Sequence, residues 1–142
     1  MPDLKKIFVI KARDFAKAGE VSIRVQGILK GIGFNPALIR RASVCAYEGE
    51  MNVVMHGGDG ALQLSVDPEN ITIEIKDDGP GIEDIELALQ EGYSTATEEY
   101  REMGFGAGMG LPNIKKNADS LEINSKKGFG THLKICFKVK DG

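Results

Sequence analysis

The sequence contains no tryptophan, and aromatic residues make up only 6% of its 142 residues. Proteins that bind single-stranded nucleic acids stack the bases on exposed aromatic rings, so this composition disfavours that role. The net charge of −3 also argues against nucleic acids and anionic membranes, because binding to either requires an excess of positive charge. We therefore expect neither direct nucleic-acid binding nor a membrane partner.

Cysteine is scarce as well, since the chain has only Cys45 and Cys136. Two cysteines cannot form a disulfide framework, and neither stands in a C-x-x-C or other metal-ligand spacing. No apolar run approaches the roughly 18 residues of a membrane-spanning helix. The N-terminal segment also lacks the apolar core and cleavage site of a signal peptide. The sequence therefore predicts a cytoplasmic protein.

Glycine is the residue in excess, with 18 among 142 residues, against a usual proportion of about 7%. Twelve of these glycines lie between Gly57 and Gly130. The length is that of one domain, which we assign to residues 1–142. Glycines concentrated in one part of a domain indicate that backbone, rather than side chains, forms much of any site there.

The hydrophobic pattern predicts an α+β protein. Apolar residues at helical spacing predict helices over 14–32, 35–56, 83–90 and 112–119. Short apolar or alternating runs predict strands over 7–10, 62–66, 71–75, 121–124 and 131–139. Because helices are grouped and the late strands are adjacent, we expect a two-layer α/β sandwich rather than alternating βαβ units.

The first candidate site lies on the helix predicted over 35–56. Glu48 and Asn52 are four residues apart and share a helix face. A carboxylate beside an amide oxygen suits a metal–phosphate centre, in which the acid polarises a hydroxyl and the amide binds Mg²⁺. The alternative is that Glu48 and Glu50 are solvated helix acids. Apolar neighbours and Gly49, which costs about 1 kcal/mol inside a helix, weaken that alternative.

The second candidate is Asp77 at a strand end, followed by Gly79 and Gly81. Such an acid can accept a hydrogen bond from an exocyclic amine, while the glycines let a flat ligand approach the backbone. The alternative is an ordinary β-turn, which the sequence Asp-Gly-Pro-Gly suits well.

The third candidate is a run of alternating glycines that leads into a helix: Gly104, Gly106, Gly108 and Gly110. Successive backbone N–H groups at a helix start form a nest for phosphates. The spacing excludes both a Walker A loop and a Gly-x-Gly-x-x-Gly loop. A flexible linker is the alternative. A fourth segment, 128–131, is by itself typical of a turn.

Taken together and in this order, the four motifs resemble the signature of the GHKL ATPase superfamily. The resemblance extends from Glu48 to Thr131. Within the superfamily the chain is similar to the small bacterial anti-sigma-factor serine/threonine kinases of the RsbT and RsbW type, on Tyr47-Glu48, 54–58 and 110–112. The resemblance implies the Bergerat fold, a mostly antiparallel mixed sheet covered by helices on one face, with an ATP lid at about 92–110.

The resemblance also implies roles for individual residues. Glu48 matches the general base, Asn52 the Mg²⁺ ligand, and Asp77 the acid that binds the adenine amine. The other nucleotide-binding positions that it implies are Gly79, Gly81, Ile82, Gly104, Gly106, Gly108, Gly110, Leu111 and Thr131, the last of which supports the adenine aspartate.

The function implied by the resemblance is Mg-ATP-dependent transfer of the γ-phosphate to a serine or threonine of a STAS-domain antagonist. The other implied partner is a sigma factor, a signalling phosphatase or another enzyme, and relatives are often homodimers. The alternative is an ATP-binding interaction module whose nucleotide state controls partner binding without significant kinase activity. A sensor histidine kinase or an Hsp90- or MutL-like ATPase is disfavoured, because no dimerisation helix with a phosphoacceptor histidine is present.

Overall fold

The structure, a computed structural model, describes residues 3–56, 58–82, 85–90 and 110–139. Gly104, Gly106, Gly108 and most of the expected ATP lid therefore lie outside the described residues. The strands are β1 (Leu4–Ile10), β2 (Gly60–Val66), β3 (Asn70–Asp77), β4 (Ser120–Ser125) and β5 (Thr131–Lys138). The helices in the described ranges are α1 (Glu20–Ile32), α2 (Pro36–His56), α3 (Ile85–Ala88) and α4 (Gly110–Asn117).

In the described part of the chain, five strands form one sheet in the order β1-β2-β3-β5-β4. Every pair of neighbouring strands in this sheet is antiparallel. The expected α+β class is confirmed, whereas the expectation of a mixed sheet is corrected. The reason lies in the connection between β1 and β2, where α1 and α2 form a helical hairpin. This hairpin returns the chain to the end of the sheet at which β1 stopped.

One face of the sheet carries the core. On β2, β3 and β5 alternate residues are buried and their neighbours are not, as period-2 alternation on a half-covered sheet requires. The buried side chains of these three strands are Leu62, Leu64, Val66, Ile71, Ile73, Ile75, Leu133, Ile135 and Phe137. Helix α2 packs on this face against β1, β3 and β5, with α1 and α4 beside it. The result is the expected two-layer sandwich.

The predicted strands agree with the structure to within a few residues, but three helices differ at their ends. Helix α1 begins at Glu20 rather than Asp14, because Gly19 adopts a left-handed φ of 96° that interrupts a helix. Only Ile85–Ala88 is helical in the described part of the segment predicted over 83–90. Helix α4 begins two residues earlier than predicted, so that Pro112 lies in its first turn, where no intrahelical N–H bond is lost.

Gly49 determines how closely α2 approaches the sheet. A Cβ atom placed on Gly49 would overlap with Cδ1 of Ile75 on β3. A side chain at this position would therefore require either the Ile75 side chain to change its conformation or α2 to move away from β3. The glycine that is unfavourable for the helix thus leaves room for Ile75 to pack against the middle of α2, next to the end of β3.

Among the described residues, no helix combines the length and apolar character needed to span a bilayer.

Candidate functional site

Glu48 and Asn52 converge at the first residue of α4. Both lie on α2, one helical turn apart, and both face Gly110. The position that a Cβ atom would take on Gly110 is 3.4 Å from Glu48 Oε2 and 3.5 Å from Asn52 Oδ1. A carboxylate oxygen, an amide oxygen and a helix N-terminus thus meet at one point, a combination suited to a phosphate group with a hard cation.

The carboxylate of Glu48 is partly buried in this position. Burial raises its pKa above the ordinary value of 4.5. A raised pKa brings a carboxylate closer to neutral pH and makes it a better proton acceptor for a hydroxyl. Glu48 is thus a partly buried carboxylate with a raised pKa that lies next to the first residue of α4.

Asp77 ends β3 and is half-buried. Its Oδ1 accepts a hydrogen bond from the Gly79 N–H at 2.9 Å, and Oδ2 takes no hydrogen bond from the described residues. Burial raises the pKa of Asp77, the Gly79 hydrogen bond opposes this shift, and the nearby Asp78 charge adds to it. The turn that the sequence analysis gave as the alternative for this segment is therefore present, because the Asp77 carboxylate closes it. The second oxygen of this carboxylate is still available to a ligand.

The loop after Asp77 is fixed to the turn between β4 and β5. Gly81 has a φ of 80°, and a Cβ atom on it would overlap with the Lys126 carbonyl oxygen. The Gly128 N–H donates to the Pro80 carbonyl at 2.6 Å. Because only glycine permits both this φ and this close approach, a glycine is needed at position 81 to form the loop.

Ser125 connects the same loop to the expected nucleotide-binding threonine. Its Oγ accepts a hydrogen bond from the Ile82 N–H at 2.7 Å and lies 3.0 Å from Oγ1 of Thr131. Thr131 stands directly opposite Asp77 in the register of β3 and β5. Ser125, which the sequence analysis did not single out, thus contacts both Ile82 and Thr131, and Thr131 in turn pairs with Asp77.

The expected site residues therefore fall into two groups. One contains Glu48, Asn52 and Gly110; the other contains Asp77, Gly79, Gly81, Ile82 and Thr131. The contact of Gly49 with Ile75 joins the two groups through the core. Leu111 is 7% exposed and belongs to the core, so its backbone is the part that can face a ligand.

Two further residues that the motifs missed position the site. Glu50 is only 2% exposed, so the alternative interpretation of Glu50 as a solvated helix acid is wrong. Arg41 anchors the far end of α4, where its Nε donates to the Asn117 carbonyl at 2.8 Å and its Nη2 pairs with Asp119 at 2.9 Å. No local sequence signal identifies either residue, because their partners lie about 30 to 80 positions away in the chain.

The site offers few protein ligands for a metal ion. The described residues contain no group of three or more histidine, cysteine or acidic side chains that could hold one. Mg²⁺ needs few protein ligands, since it usually retains waters and binds substrate phosphates. The Glu48 and Asn52 oxygens fit that pattern. Burial raises the pKa of the nearby Cys45 thiol to about 12, which disfavours the thiolate form that a nucleophile or a metal ligand requires.

Comparison with protein families and curated proteins gives matches that include this region. The family described as "Histidine kinase-, DNA gyrase B-, and HSP90-like ATPase" matches residues 47–141. The anti-sigma F factor of Thermoanaerobacter sp. (strain X514) is 36% identical over 93 residues, which are 62% of this chain and 62% of that protein. The serine/threonine-protein kinase RsbT of Bacillus subtilis (strain 168) is 28% identical over 112 residues, or 76% of this chain and 78% of that protein.

Solved structures share the fold. The RsbU and RsbW domains of a Mycobacterium tuberculosis protein match with a TM-score of 0.59 at 15% identity, over 100% of this chain and 34% of that one. The mycobacterial sensor histidine kinase MprB matches with a TM-score of 0.53 at 16% identity, over 98% of this chain and 100% of that one. At these identities the likeness concerns the arrangement of strands and helices.

Proposed function

Because the chain belongs to the histidine kinase-, DNA gyrase B-, and HSP90-like ATPase family, we propose that it binds Mg-ATP and phosphorylates a protein. The proposed reaction transfers the γ-phosphate to a serine or threonine hydroxyl of a STAS-domain antagonist, and the protein acts as an anti-sigma-type switch. The family match confirms the resemblance drawn from the motifs. The observation that carries the proposal is the convergence of Glu48 and Asn52 at Gly110.

In the proposed mechanism, Glu48 accepts the proton of the incoming hydroxyl. The hydroxyl oxygen forms a bond to the γ-phosphorus while the bond from that phosphorus to the bridging oxygen breaks, which leaves ADP. Asn52 provides an amide oxygen for Mg²⁺, which when bound supplies charge neutralisation at the phosphates. Gly110, the first residue of α4, lies beside these two side chains, and the N-terminus of a helix favours phosphate groups. Positioning and charge neutralisation are the main demands of phosphoryl transfer.

Asp77 is proposed to recognise the adenine. Its Oδ2 can accept a hydrogen bond from an exocyclic amine, since Oδ1 already accepts from Gly79. The loop over Gly79 and Gly81 presents backbone rather than side chains to the base. Thr131 and Ile82, both tied to Ser125, keep this loop in place.

The names of the relatives support a sigma factor as a partner and phosphorylation of serine or threonine as the activity. One is called an anti-sigma F factor and another a serine/threonine-protein kinase. The match spans 62% of the anti-sigma F factor's length, so partners and substrate are proposals for this chain. They are a STAS-domain antagonist as substrate and a sigma factor or signalling phosphatase as second partner, in the cytoplasm.

The test is phosphoryl transfer from labelled ATP to a panel of purified STAS-domain proteins. Glu48→Gln should lower the transfer rate by about 10² to 10⁴, as the loss of a general base does, while calorimetry shows ATP still binding. Asp77→Asn should instead weaken ATP binding, because Oδ2 is exchanged for an amide that can become a donor. The exposed Glu122→Gln on β4 is the matched control.

Three outcomes are distinguishable. Unchanged transfer by Glu48→Gln would exclude Glu48 as the base. Unchanged ATP affinity of Asp77→Asn would exclude the adenine site. Absence of transfer by the native chain, with ATP-dependent binding of a STAS partner retained, would make the protein the ATP-controlled interaction module instead.

A further inference from the structure

A cleft of about 420 Å³ lies beside Glu48 and has no role in holding the nucleotide as proposed. It is lined by residues of three helices: Ser22, Ile23 and Gln26 from α1, Asn113 from α4, and a longer set from α2. The cleft therefore follows the outer surface of α2 and is flanked by α1 and α4. Glu48 is part of its lining, so the cleft is continuous with the proposed catalytic group.

The residues that α2 contributes form a single stripe. They are Arg40, Ser43, Val44, Tyr47 and Glu48. The spacings of three and four residues place them on one face of the helix. A continuous stripe that ends at the proposed base provides a track along which an extended segment can lie.

The cleft exposes several apolar side chains that lie next to each other. Ile23 is 67% exposed and Tyr47 is 41% exposed. Both line the cleft, together with the partly exposed Val44. Single exposed apolar residues are common, but here they adjoin each other beside a proposed catalytic group, as in a binding groove.

The two ends of the stripe carry opposite charge. Arg40 is exposed and makes no ion pair with any residue in the described ranges. Glu48 is the acid at the other end. An occupant that presents an acidic side chain to Arg40 and a hydroxyl to Glu48 would match both ends.

We propose that this cleft docks the segment of the protein substrate that carries the phosphate-accepting serine or threonine. The inference rests on the proposed kinase function and adds the substrate's recognition features. The segment presents an apolar side chain to Ile23 and Tyr47 and an acidic side chain to Arg40.

The length of the stripe fixes the position of the acidic side chain. Arg40 and Glu48 are eight residues apart on a helix that rises 1.5 Å per residue, which corresponds to roughly 12 Å. An extended chain covers about 3.3 Å per residue. The acidic residue of the substrate therefore stands three or four positions from the accepting hydroxyl.

The experiment uses the STAS-domain protein that accepts phosphate best in the panel described above. Arg40→Glu and Ile23→Asp should each raise the KM for this protein about tenfold, because a charge is reversed or an apolar contact is lost. The kcat should change less than the KM. Lys115→Glu is the matched control for Arg40→Glu, since Lys115 is exposed on α4, does not line the cleft and gives the same change in net charge.

A charge exchange gives the decisive readout. An acidic residue of the STAS protein, three or four positions from its phosphorylated residue, is changed to lysine. This change should raise the KM with the native chain and restore a low KM with Arg40→Glu, since coupled residues are not additive. A merely structural effect of Arg40→Glu would not be rescued in this way.

Failure of this inference and failure of the proposed function differ in their results. If no STAS protein accepts phosphate from the native chain, the proposed function fails and this inference fails with it. If phosphate is transferred and the cleft variants behave like Lys115→Glu, only the docking inference is overturned. It is also overturned if the variants change self-association in analytical ultracentrifugation and leave the KM unchanged, because the cleft would then be a contact between copies.

Discussion

The carboxylate of Glu50 on α2 accepts a hydrogen bond from the backbone N–H of Ser22 at 2.9 Å. Its other oxygen accepts from Gly19 and Val21 at 3.0 and 3.3 Å. A buried acid from the neighbouring helix thus accepts hydrogen bonds from the N–H groups at the start of α1. In most helices the side chain of the N-cap residue has this role. Gly19, the N-cap residue, has no side chain for this task. Glu50 therefore fixes α1 to α2 two residues away from the proposed base.

Glu50→Ala should lower the free energy of unfolding by about 2–4 kcal/mol, because three buried donors lose their acceptor. Urea denaturation measures the loss. Glu20→Ala, which removes an exposed acid from the first turn of α1, is the control and should cost only a few tenths of a kcal/mol. Equal losses for the two variants would contradict the capping role of Glu50.

Gly49→Ala should destabilise the protein even though alanine favours helices, because its Cβ would overlap with Ile75. Gly27→Ala on α1 is the matched control, since no atom lies within 4 Å of the Cβ position and the change should stabilise by about 0.5–1 kcal/mol. Thermal unfolding of both variants compares the signs. Adding Ile75→Val to Gly49→Ala removes the overlapping Cδ1 and should recover part of the lost stability. If no stability is recovered, the destabilisation does not come from the overlap with Ile75.

Glu48→Gln should stabilise the protein at neutral pH, because native Glu48 holds a charge that burial disfavours. In the folded state the pKa of Glu48 lies above 4.5, its ordinary value, which applies to the unfolded chain. At a pH between these two pKa values, the folded state binds more protons than the unfolded state. The stability of the native chain relative to Glu48→Gln therefore falls as pH rises through that window, and stays low above it. Melting temperatures of both proteins from pH 4 to pH 8 provide the measurement, and a constant difference would refute the burial effect.

The rate of phosphoryl transfer should follow the same titration in the opposite direction. A base works only when it is deprotonated, so the rate should fall as the pH is lowered through the folded-state pKa of Glu48. Single-turnover rates across that pH range, with ATP saturating, would locate the inflection. An inflection at or below 4.5, the ordinary value for this side chain, would show that burial does not act on the base.

Ser125→Ala should weaken ATP binding severalfold, although Ser125 is not expected to contact the nucleotide. The Ile82 N–H and the Thr131 hydroxyl would both lose a partner, and the loop after Asp77 would be held less firmly. Calorimetric titration with ATP measures the effect. Ser120→Ala, at the exposed start of the same strand, should leave the affinity unchanged, and an equal loss there would show a general effect on β4.

The sequence by itself determined the α+β class, the strand positions and the spacing of the four motifs. These features are local, because the period of apolar residues reports secondary structure and the Gly-x-Gly spacing reports backbone demands. The pairing of Glu48 with Asn52 was equally accessible, since four residues on a helix always share a face. The family resemblance followed from the order of the motifs.

The tertiary structure decided the features that depend on partners distant in the chain. The fully antiparallel sheet, the burial of Glu50, the role of Ser125 and the contact of Gly49 with Ile75 belong to this group. Each joins residues that are far apart in sequence, and no local pattern encodes which of many chemically suitable residues becomes the partner. The cleft beside Glu48 is of the same kind, because it exists only where α1, α2 and α4 pack together.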